Sequence, residues 1–377
     1  MSSPRPRANT LIDLHRPKRV TPTALVIPLK KESRDCLRHL ARYEAPHSPP
    51  YPNSQSAAVL VALFIGRWGD IYVLLSRRSA TLSSYAGDTA LPGGRVDRKD
   101  SSLEDTARRE AFEEIGLPID RRRVPLLCIL PPFLARSHLI VTPVVVLITD
   151  PTLRPILNAP EVDTLFSHPL ASFLHDRAPF PLPSSSPFLP DTALDDVATT
   201  ASNTKPTVST LQFPEQDEKY AGPPPPRINP KEYHTYHDMT WGPTKVRIHS
   251  FLTGREASGM KPIAGLTASI LLEVATIGYG RRPEGFDMES PGEAGRRERI
   301  AWEMNRAQRF IDALKREGIK WDWQKEERRE RERREATLAA TTTTRPRALT
   351  AGVTAANDGK GPSDTHLHRS SKPKSRL

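Results

Sequence analysis

The stretch that most constrains the fold of this chain spans residues 90–117, with the sequence ALPGGRVDRKDSSLEDTARREAFEEIGL. Ser101 or Ser102 is placed to cap a helix, and Glu104 and Asp105 follow in the first turn, where they favour the positive end of the helix dipole. Gly116 suits the C-terminal cap, because glycine readily adopts the left-handed conformation needed there. The stretch therefore predicts a glycine turn, a polar loop and a helix with both ends marked.

Three glutamates, Glu110, Glu113 and Glu114, occupy positions i, i+3 and i+4 of this helix and so share one face. Phe112 and Ile115 lie on the other side, where we expect both to be buried. Carboxylates this close repel one another unless a cation lies between them, and Mg²⁺ or Mn²⁺ prefers carboxylate and water oxygens. The residues alone leave two hypotheses open: a divalent-metal site, or a surface helix with an acidic stripe.

Two glycines, Gly93 and Gly94, precede the loop and allow a tight turn in which main-chain groups approach a ligand closely. In the metal hypothesis an ion would polarise a bridging phosphate while a carboxylate orients or deprotonates water for attack on phosphorus. The stretch would then serve phosphate chemistry.

Apolar, β-branched runs surround the helix and predict strands. These are AAVLVALFIG from Ala57, IYVLLSRRS from Ile71 with a hairpin turn at RWGD between them, VPLLCILPPFL, LIVTPVVVLITD and TWGPTKVRIHSFL. Further helices are predicted at KESRDCLRHLARYEAP and GLTASILLEVATIGYG, and NAPEVDTLFSHPL predicts a turn into a short helix with Pro160 in its first turn. The mixture predicts an α/β domain.

The chain has 377 residues, 38 prolines and a formal charge of +11, so we expect one packed domain with basic, poorly packed additions. We predict an N-terminal extension over 1–54, a folded domain over 55–280 with a disordered Pro/Ser-rich insertion at about 180–235, and a charged helix and tail over 281–377. Ile300, Met304, Ala307, Ile311 and Leu314 predict one amphipathic helix in that last part. We expect no membrane span and no secretory signal.

The glycine, loop and helix stretch closely resembles the Nudix box, which has a glycine, a spaced acidic residue and then Arg-Glu-x-x-Glu-Glu-x-Gly. The matching residues are Arg109, Glu110, Glu113, Glu114 and Gly116. The interval from Gly94 to Arg109 is one residue longer than usual, and Asp100 is a better candidate than Ser101 for the early acidic position.

The longer interval and the preceding segment LLSRRSATLSSYAGDTALPGG resemble the coenzyme A diphosphatase branch of the Nudix hydrolases. The matching residues are Leu74, Leu75, Arg78, Ser79, Gly87, Pro92, Gly93 and Gly94. Ser83 departs from the pattern, because the branch usually has an arginine there. Later segments, LNAPEVDTLFSHPL and IAGLTASIL, are also similar to the branch.

The resemblance implies a Nudix fold, an α/β/α sandwich around a mixed β-sheet. It implies that Glu110, Glu113 and Glu114 bind Mg²⁺ or Mn²⁺, that Arg109 orients them, and that substrate is bound by Arg78, Gly87, Gly93 and Gly94. The general base is left open between Asp100, Glu110 and Glu161, and Glu161 has a simple helix-start role as its alternative.

The implied substrate is coenzyme A or an acyl or oxidised derivative, hydrolysed to 3′,5′-ADP and 4′-phosphopantetheine. Ser375, Arg376 and Leu377 vary the tripeptide that the peroxisomal import receptor binds, so we expect import into the peroxisomal matrix. Two alternatives remain: a Nudix hydrolase of NADH or an oxidised nucleotide, which the departure at Ser83 permits, and a non-catalytic protein whose basic tails bind RNA or a partner. The complete glutamate set argues against the second, and hence against nucleic acid as a partner.

Overall fold

The computed structural model describes residues 29–150, 152–180, 232–242 and 244–322, together with Arg328 and Glu332. Most of the predicted insertion, most of the charged tail and the terminal tripeptide at residues 375–377 lie outside these residues. The predicted domain boundaries therefore stay predictions.

The described part of the chain contains runs of strands separated by single helices, and it ends in three consecutive helices. Its helices are α1 Lys31–Arg42, α2 Leu103–Ile115, α3 Gly265–Tyr279, α4 Arg296–Arg306 and α5 Gln308–Glu317. Its strands are β1 Ser56–Ile65, β2 Ile71–Arg78, β3 Thr89–Ala90, β4 Gly93–Arg95, β5 Leu126–Ile129, β6 Phe133–Leu134, β7 Ile140–Ile148, β8 Val162–Pro169, β9 His234–Trp241, β10 Thr244–Phe251 and β11 Ile263–Ala264. Strands β9, β10 and β11 form a separate antiparallel sheet.

The main sheet is mixed, as expected. Strands β1 and β7 run parallel along their length, from Ser56 opposite Ile140 to Phe64 opposite Ile148, and the other pairs are antiparallel. Strand β8 lies on the far side of β2 from β1, because Val73 pairs with residues of both neighbours. The predicted hairpin turn between β1 and β2 is confirmed, with the Gly66 N–H donating to the Asp70 carbonyl at 2.8 Å.

Helices cover both faces of this sheet. Alternate residues of β1 point to opposite faces: Leu60 packs in the cluster that contains the buried side of α2, whereas Val61 packs in the cluster that contains α1 and α3. Cys36 and Leu40 of α1 are fully buried in that second cluster. The α/β/α sandwich is confirmed, and α1 is part of its core.

The helix predicted within residues 158–170 is wrong. After a turn in which the Glu161 and Val162 N–H groups donate to the Asn158 carbonyl, the chain forms strand β8, which pairs with β2 over its whole length. Val162 and Leu165 of β8 are buried in the core on one face of the sheet and Phe166 in the core on the other, and a 3₁₀ turn follows only at Leu170–Leu174. Tertiary pairing therefore overrides the local helix signal of Pro160.

Two runs that the sequence predicts as single strands are split. The run after Val124 forms β5 and β6, separated by Pro131 and Pro132, which lack the N–H that a continuous ladder requires. The run after Thr240 contains the turn of a hairpin, where Gly242 adopts a positive φ of 57° between β9 and β10. Strand β9 is missing from the prediction.

The single amphipathic helix predicted beyond residue 296 is two helices. Ala307 is extended, with ψ of 118°, and separates α4 from α5. The break turns α5 so that Phe310, rather than Ile311, is fully buried, beside Met304 and against Ile140 of β7. The pair packs on the edge of the sandwich. No helix in the described ranges is both long and apolar enough to cross a bilayer.

One buried histidine of the main sheet contacts the residue before the smaller sheet, and two more buried histidines lie within the smaller sheet. The His168 ring and the Tyr233 hydroxyl share a hydrogen bond of 2.8 Å, and His234 Nε2 lies 3.0 Å from His249 Nδ1. Burial lowers the pKa of His168 and of His234 to about 3, and it also lowers the pKa of His249. These rings are therefore neutral in the folded protein at physiological pH.

This burial predicts that the protein loses stability in mild acid. The unfolded chain binds protons near the ordinary histidine pKa of 6.5, whereas the folded chain does not until the pH approaches 3. The free energy of unfolding should therefore fall below about pH 6.5, with a slope approaching about 1.4 kcal/mol per pH unit for each buried histidine. Urea unfolding across this range measures the slope. His234→Gln should reduce the slope, and exposed His47→Gln should not; equal slopes in all three proteins would contradict the prediction.

Candidate active site

The helix that carries the glutamates has the predicted ends. The Ser102 hydroxyl accepts the Asp105 N–H at 3.1 Å and donates to its carboxylate at 2.9 Å, so Ser102 rather than Ser101 is the cap. Gly116 ends the helix with φ of 66°. These caps fix α2 relative to the strand and loop before it.

The buried residues of α2 differ from those that the sequence predicts. Ala107, Ala111 and Ile115, spaced four residues apart, are fully buried against the sheet. Phe112 is 53% exposed, so its predicted burial is wrong. One residue corresponds to about 100° around a helix, which turns Phe112 away from the line formed by Ala111 and Ile115.

Gly94 makes room for the Glu110 carboxylate. A Cβ atom built on Gly94 would overlap both carboxylate oxygens of Glu110, so only glycine leaves this space. Burial raises the pKa of Glu110, and the charges of Glu113 and Glu161 also raise it, while Arg109 acts in the opposite direction. The helix therefore brings one carboxylate beneath strand β4.

Gly93 lies beside the second buried carboxylate. Its N–H donates to Glu114 Oε2 at 3.3 Å, and Glu114 is only 7% exposed. Burial raises the pKa of Glu114 to about 7, the charges of Glu110 and Glu161 add to the effect, and the charge of Arg78 opposes it. Two desolvated carboxylates thus lie within electrostatic reach of each other at one end of β4.

Arg109 connects the carboxylates of the helix to the loop. Its guanidinium donates to both carboxylate oxygens of Asp100 at 2.9 Å, to Glu110 at 2.9 Å and to Glu113 at 3.3 Å. It also donates to the Arg95 carbonyl at 3.0 Å. The hydrogen bonds from Arg109 hold the pKa of Asp100 at about 2, so Asp100 is a firm anchor for Arg109 and a poor proton acceptor.

Glu161 lies in the turn that leads into β8, so it does not begin a helix. Its side chain is exposed, and its charge acts on both Glu110 and Glu114. The structure therefore brings Glu161 to the same site as the box glutamates.

Arg78 ends strand β2, and Gly87 lies in the loop that follows it. The Arg78 N–H donates to the Asp88 carbonyl at 2.9 Å, and Gly87 adopts a positive φ of 70° beside the Lys261 side chain. Lys261 is absent from the predicted site, and its contacts join residues 173 positions apart without any sequence pattern. The sequence held no signal that could have identified it.

The carboxylates suit a divalent cation chemically. Within the described ranges, His, Cys, Asp and Glu side chains are not gathered into a group of three that could hold a metal ion, and Arg109 instead contacts Glu110 and Glu113. Even so, burial and the charges of neighbouring glutamates raise the pKa values of Glu110 and Glu114, and a hard cation would stabilise their ionised forms. The carboxylate oxygens are of the kind that Mg²⁺ or Mn²⁺ prefers.

Comparison with known proteins finds similarity to Nudix hydrolases. The family model described as NUDIX domain matches residues 54–185. The chain is 37% identical over 153 residues to Nudix hydrolase 22, chloroplastic, of Arabidopsis thaliana, covering 40% of this chain and 50% of that one. It is 36% identical over 169 residues to the Peroxisomal coenzyme A diphosphatase 1, peroxisomal, of Saccharomyces cerevisiae, covering 37% and 49%.

A bacterial relative is covered more fully. The chain is 40% identical over 131 residues to the Uncharacterized Nudix hydrolase NudL of Photorhabdus laumondii, covering 33% of this chain and 67% of that one. The chain belongs to the Nudix hydrolase family, whose members hydrolyse nucleoside diphosphate-linked compounds and generally use divalent metals. It spans about half the length of the plant and yeast relatives.

Alanine at each of the two glycines should have a different effect: Gly94→Ala should lower activity, and Gly93→Ala should lower stability. In Gly94→Ala, the new methyl group meets the flexible end of Glu110, which can move at a cost below about 1 kcal/mol, but the displaced carboxylate should lower hydrolysis about 100-fold. In Gly93→Ala, the methyl group meets the Ala58 carbonyl and the Val59 Cα, so unfolding should become easier by about 3 kcal/mol. Urea unfolding and initial rates measure both quantities. A Gly94→Ala enzyme with wild-type rates would contradict the role of this space.

Proposed function

We propose that this protein hydrolyses the pyrophosphate bond of coenzyme A or of its acyl or oxidised derivatives. Water adds across one P–O–P linkage and gives 3′,5′-ADP and 4′-(acyl)phosphopantetheine. The proposal is supported by the segment LLSRRSATLSSYAGDTALPGG before the box, and by the name of the yeast relative, a peroxisomal coenzyme A diphosphatase.

The proposal rests chiefly on two carboxylates, half-buried Glu110 and buried Glu114, which lie against Gly94 and Gly93. Glu110, Glu113 and Glu114 would hold Mg²⁺ or Mn²⁺, which when bound offsets charge on the pyrophosphate and lowers the pKa of a water molecule. The glycines keep the main chain free of side chains where the substrate phosphates would approach.

Other residues of the site would orient the glutamates, favour a phosphate and accept a proton. Arg109, anchored by Asp100, orients Glu110 and Glu113 through hydrogen bonds. The charge of Arg78 acts on this site and would favour a phosphate there. Glu161 is exposed to water and faces the buried glutamates, so we assign it, rather than Asp100 or Glu110, the task of accepting the proton of the attacking water.

A second substrate class competes with coenzyme A. Ser83 stands where the coenzyme A branch usually has an arginine, which permits NADH or an oxidised nucleotide as substrate. The same carboxylates would act on the pyrophosphate of either compound, so the products decide between them.

We also propose that the protein is located in the peroxisomal matrix. Ser375, Arg376 and Leu377 resemble the import tripeptide, and the yeast relative is named peroxisomal, whereas two plant relatives are named chloroplastic and mitochondrial.

A fluorescent protein fused to the N-terminus should colocalise with a peroxisomal marker, and removal of the three residues should disperse it. Colocalisation that persists without them would contradict this signal.

The reaction predicts defined products. Incubation of the pure protein with Mg²⁺ or Mn²⁺ and a panel of coenzyme A, acyl-coenzyme A, NADH and 8-oxo-dGTP should release 3′,5′-ADP and phosphopantetheine from coenzyme A compounds, as followed by mass spectrometry. Glu114→Gln should lower the rate about 100- to 1000-fold, because a neutral amide cannot replace the charge of the carboxylate at a metal. Glu161→Gln should lower kcat with little change in KM.

The matched control is Glu32→Gln, which makes the same exchange at an exposed position of α1, and it should leave the rate unchanged. Preferential cleavage of NADH or 8-oxo-dGTP would reject coenzyme A as the substrate. An absence of turnover with every compound would reject hydrolysis and favour a binding function.

A further inference from the structure

A segment from the distant, C-terminal part of the described chain holds the loop that precedes the box. The Lys261 ammonium donates to the Ala86 carbonyl at 2.8 Å and to Asp88 Oδ1 at 2.6 Å. Beside it, the Thr89 hydroxyl donates to the Pro262 carbonyl at 2.8 Å. These three contacts connect residues 261–262 with residues 86–89.

The loop at residues 79–88 has a backbone that needs such support. Tyr85 adopts a positive φ of 55°, which a residue with a side chain enters only at a free-energy cost, and its ring is 49% exposed. The Asp88 N–H donates to the Tyr85 carbonyl at 3.2 Å and closes a turn. Lys261 is bound to Ala86, the residue immediately after Tyr85, and so supports the turn from outside.

The contact continues towards the catalytic carboxylates. The main-chain carbonyl of Asp88 accepts the Arg78 N–H at 2.9 Å, and the charge of Arg78 acts on Glu114. After Asp88 the chain enters β3, and only two residues separate β3 from Gly93. A shift of Asp88 would therefore move both Arg78 and the approach to Gly93.

We propose that Lys261 is a positioning residue that fixes the loop at residues 79–88 in the conformation that binds the substrate. The loop joins Arg78 to the strand before the two glycines, so its position sets the affinity for the phosphate-bearing part of the substrate. Lys261 itself contacts the loop at Ala86 and Asp88. The expected change in KM rests on the proposed function, whereas the contacts of Lys261 with the loop do not depend on it.

The test compares Lys261→Met with the wild type. Methionine keeps the length and apolar stem of lysine but cannot donate to Ala86 and Asp88. We expect KM to rise roughly five- to tenfold, because partly exposed charge-assisted hydrogen bonds are lost, while kcat changes less than about twofold. Deuterium uptake by residues 79–90 should also become faster.

Two further variants make the test specific. Lys261→Arg keeps donors for both acceptors and should restore most of the affinity. Lys30→Met removes another lysine to aspartate pair, between Lys30 and Asp70, and should change neither KM nor uptake in the loop.

The outcomes separate this inference from the proposed function. A KM for Lys261→Met equal to that of Lys30→Met, or a loss confined to kcat, would overturn the positioning role. If the wild type hydrolyses another nucleoside diphosphate compound instead, the same KM comparison with that compound decides. If the wild type hydrolyses nothing, the proposed function fails, and unchanged deuterium uptake in Lys261→Met would independently overturn the support of the loop.

Discussion

The site depends on one steric fact: the Glu110 carboxylate occupies the space that a side chain on Gly94 would fill. Because α2 packs its small residues, Ala107 and Ala111, closely against the sheet, its acidic side is drawn beneath β4. Burial then raises the pKa of Glu110 and of Glu114, so a bound cation would favour their ionised forms. The packing of α2 against the sheet therefore also positions the carboxylates of the site.

Arg109 and the proposed metal act on the same carboxylates. Its guanidinium is fixed by both oxygens of Asp100 and contacts Glu110 and Glu113, so the helix face is ordered before a ligand binds. Glu114 is instead held by the main chain of Gly93. This division explains why the sequence needs an arginine and two glycines in addition to three glutamates.

The sequence predicted the parts of the fold that depend on local signals. The caps at Ser102 and Gly116 define α2, and largely apolar runs that contain β-branched residues define β1 and β7. The failures have tertiary causes: β8 forms because β2 offers a pairing edge, and Phe112 is exposed because Ala111 and Ile115 already fill the contact with the sheet. The contact of Lys261 with Asp88 joins distant parts of the chain and has no local signature. The metal-binding role of the glutamates stays a prediction.

Binding of Mn²⁺ to the protein without substrate, followed by electron paramagnetic resonance of the free ion, measures directly whether these carboxylates bind a cation. The wild type should bind Mn²⁺, and Gly94→Ala and Glu114→Gln should each bind it at least about tenfold more weakly. The first substitution displaces the Glu110 carboxylate, and the second neutralises that of Glu114. Equal binding by all three proteins would show that the cation does not depend on these carboxylates and would contradict the central claim.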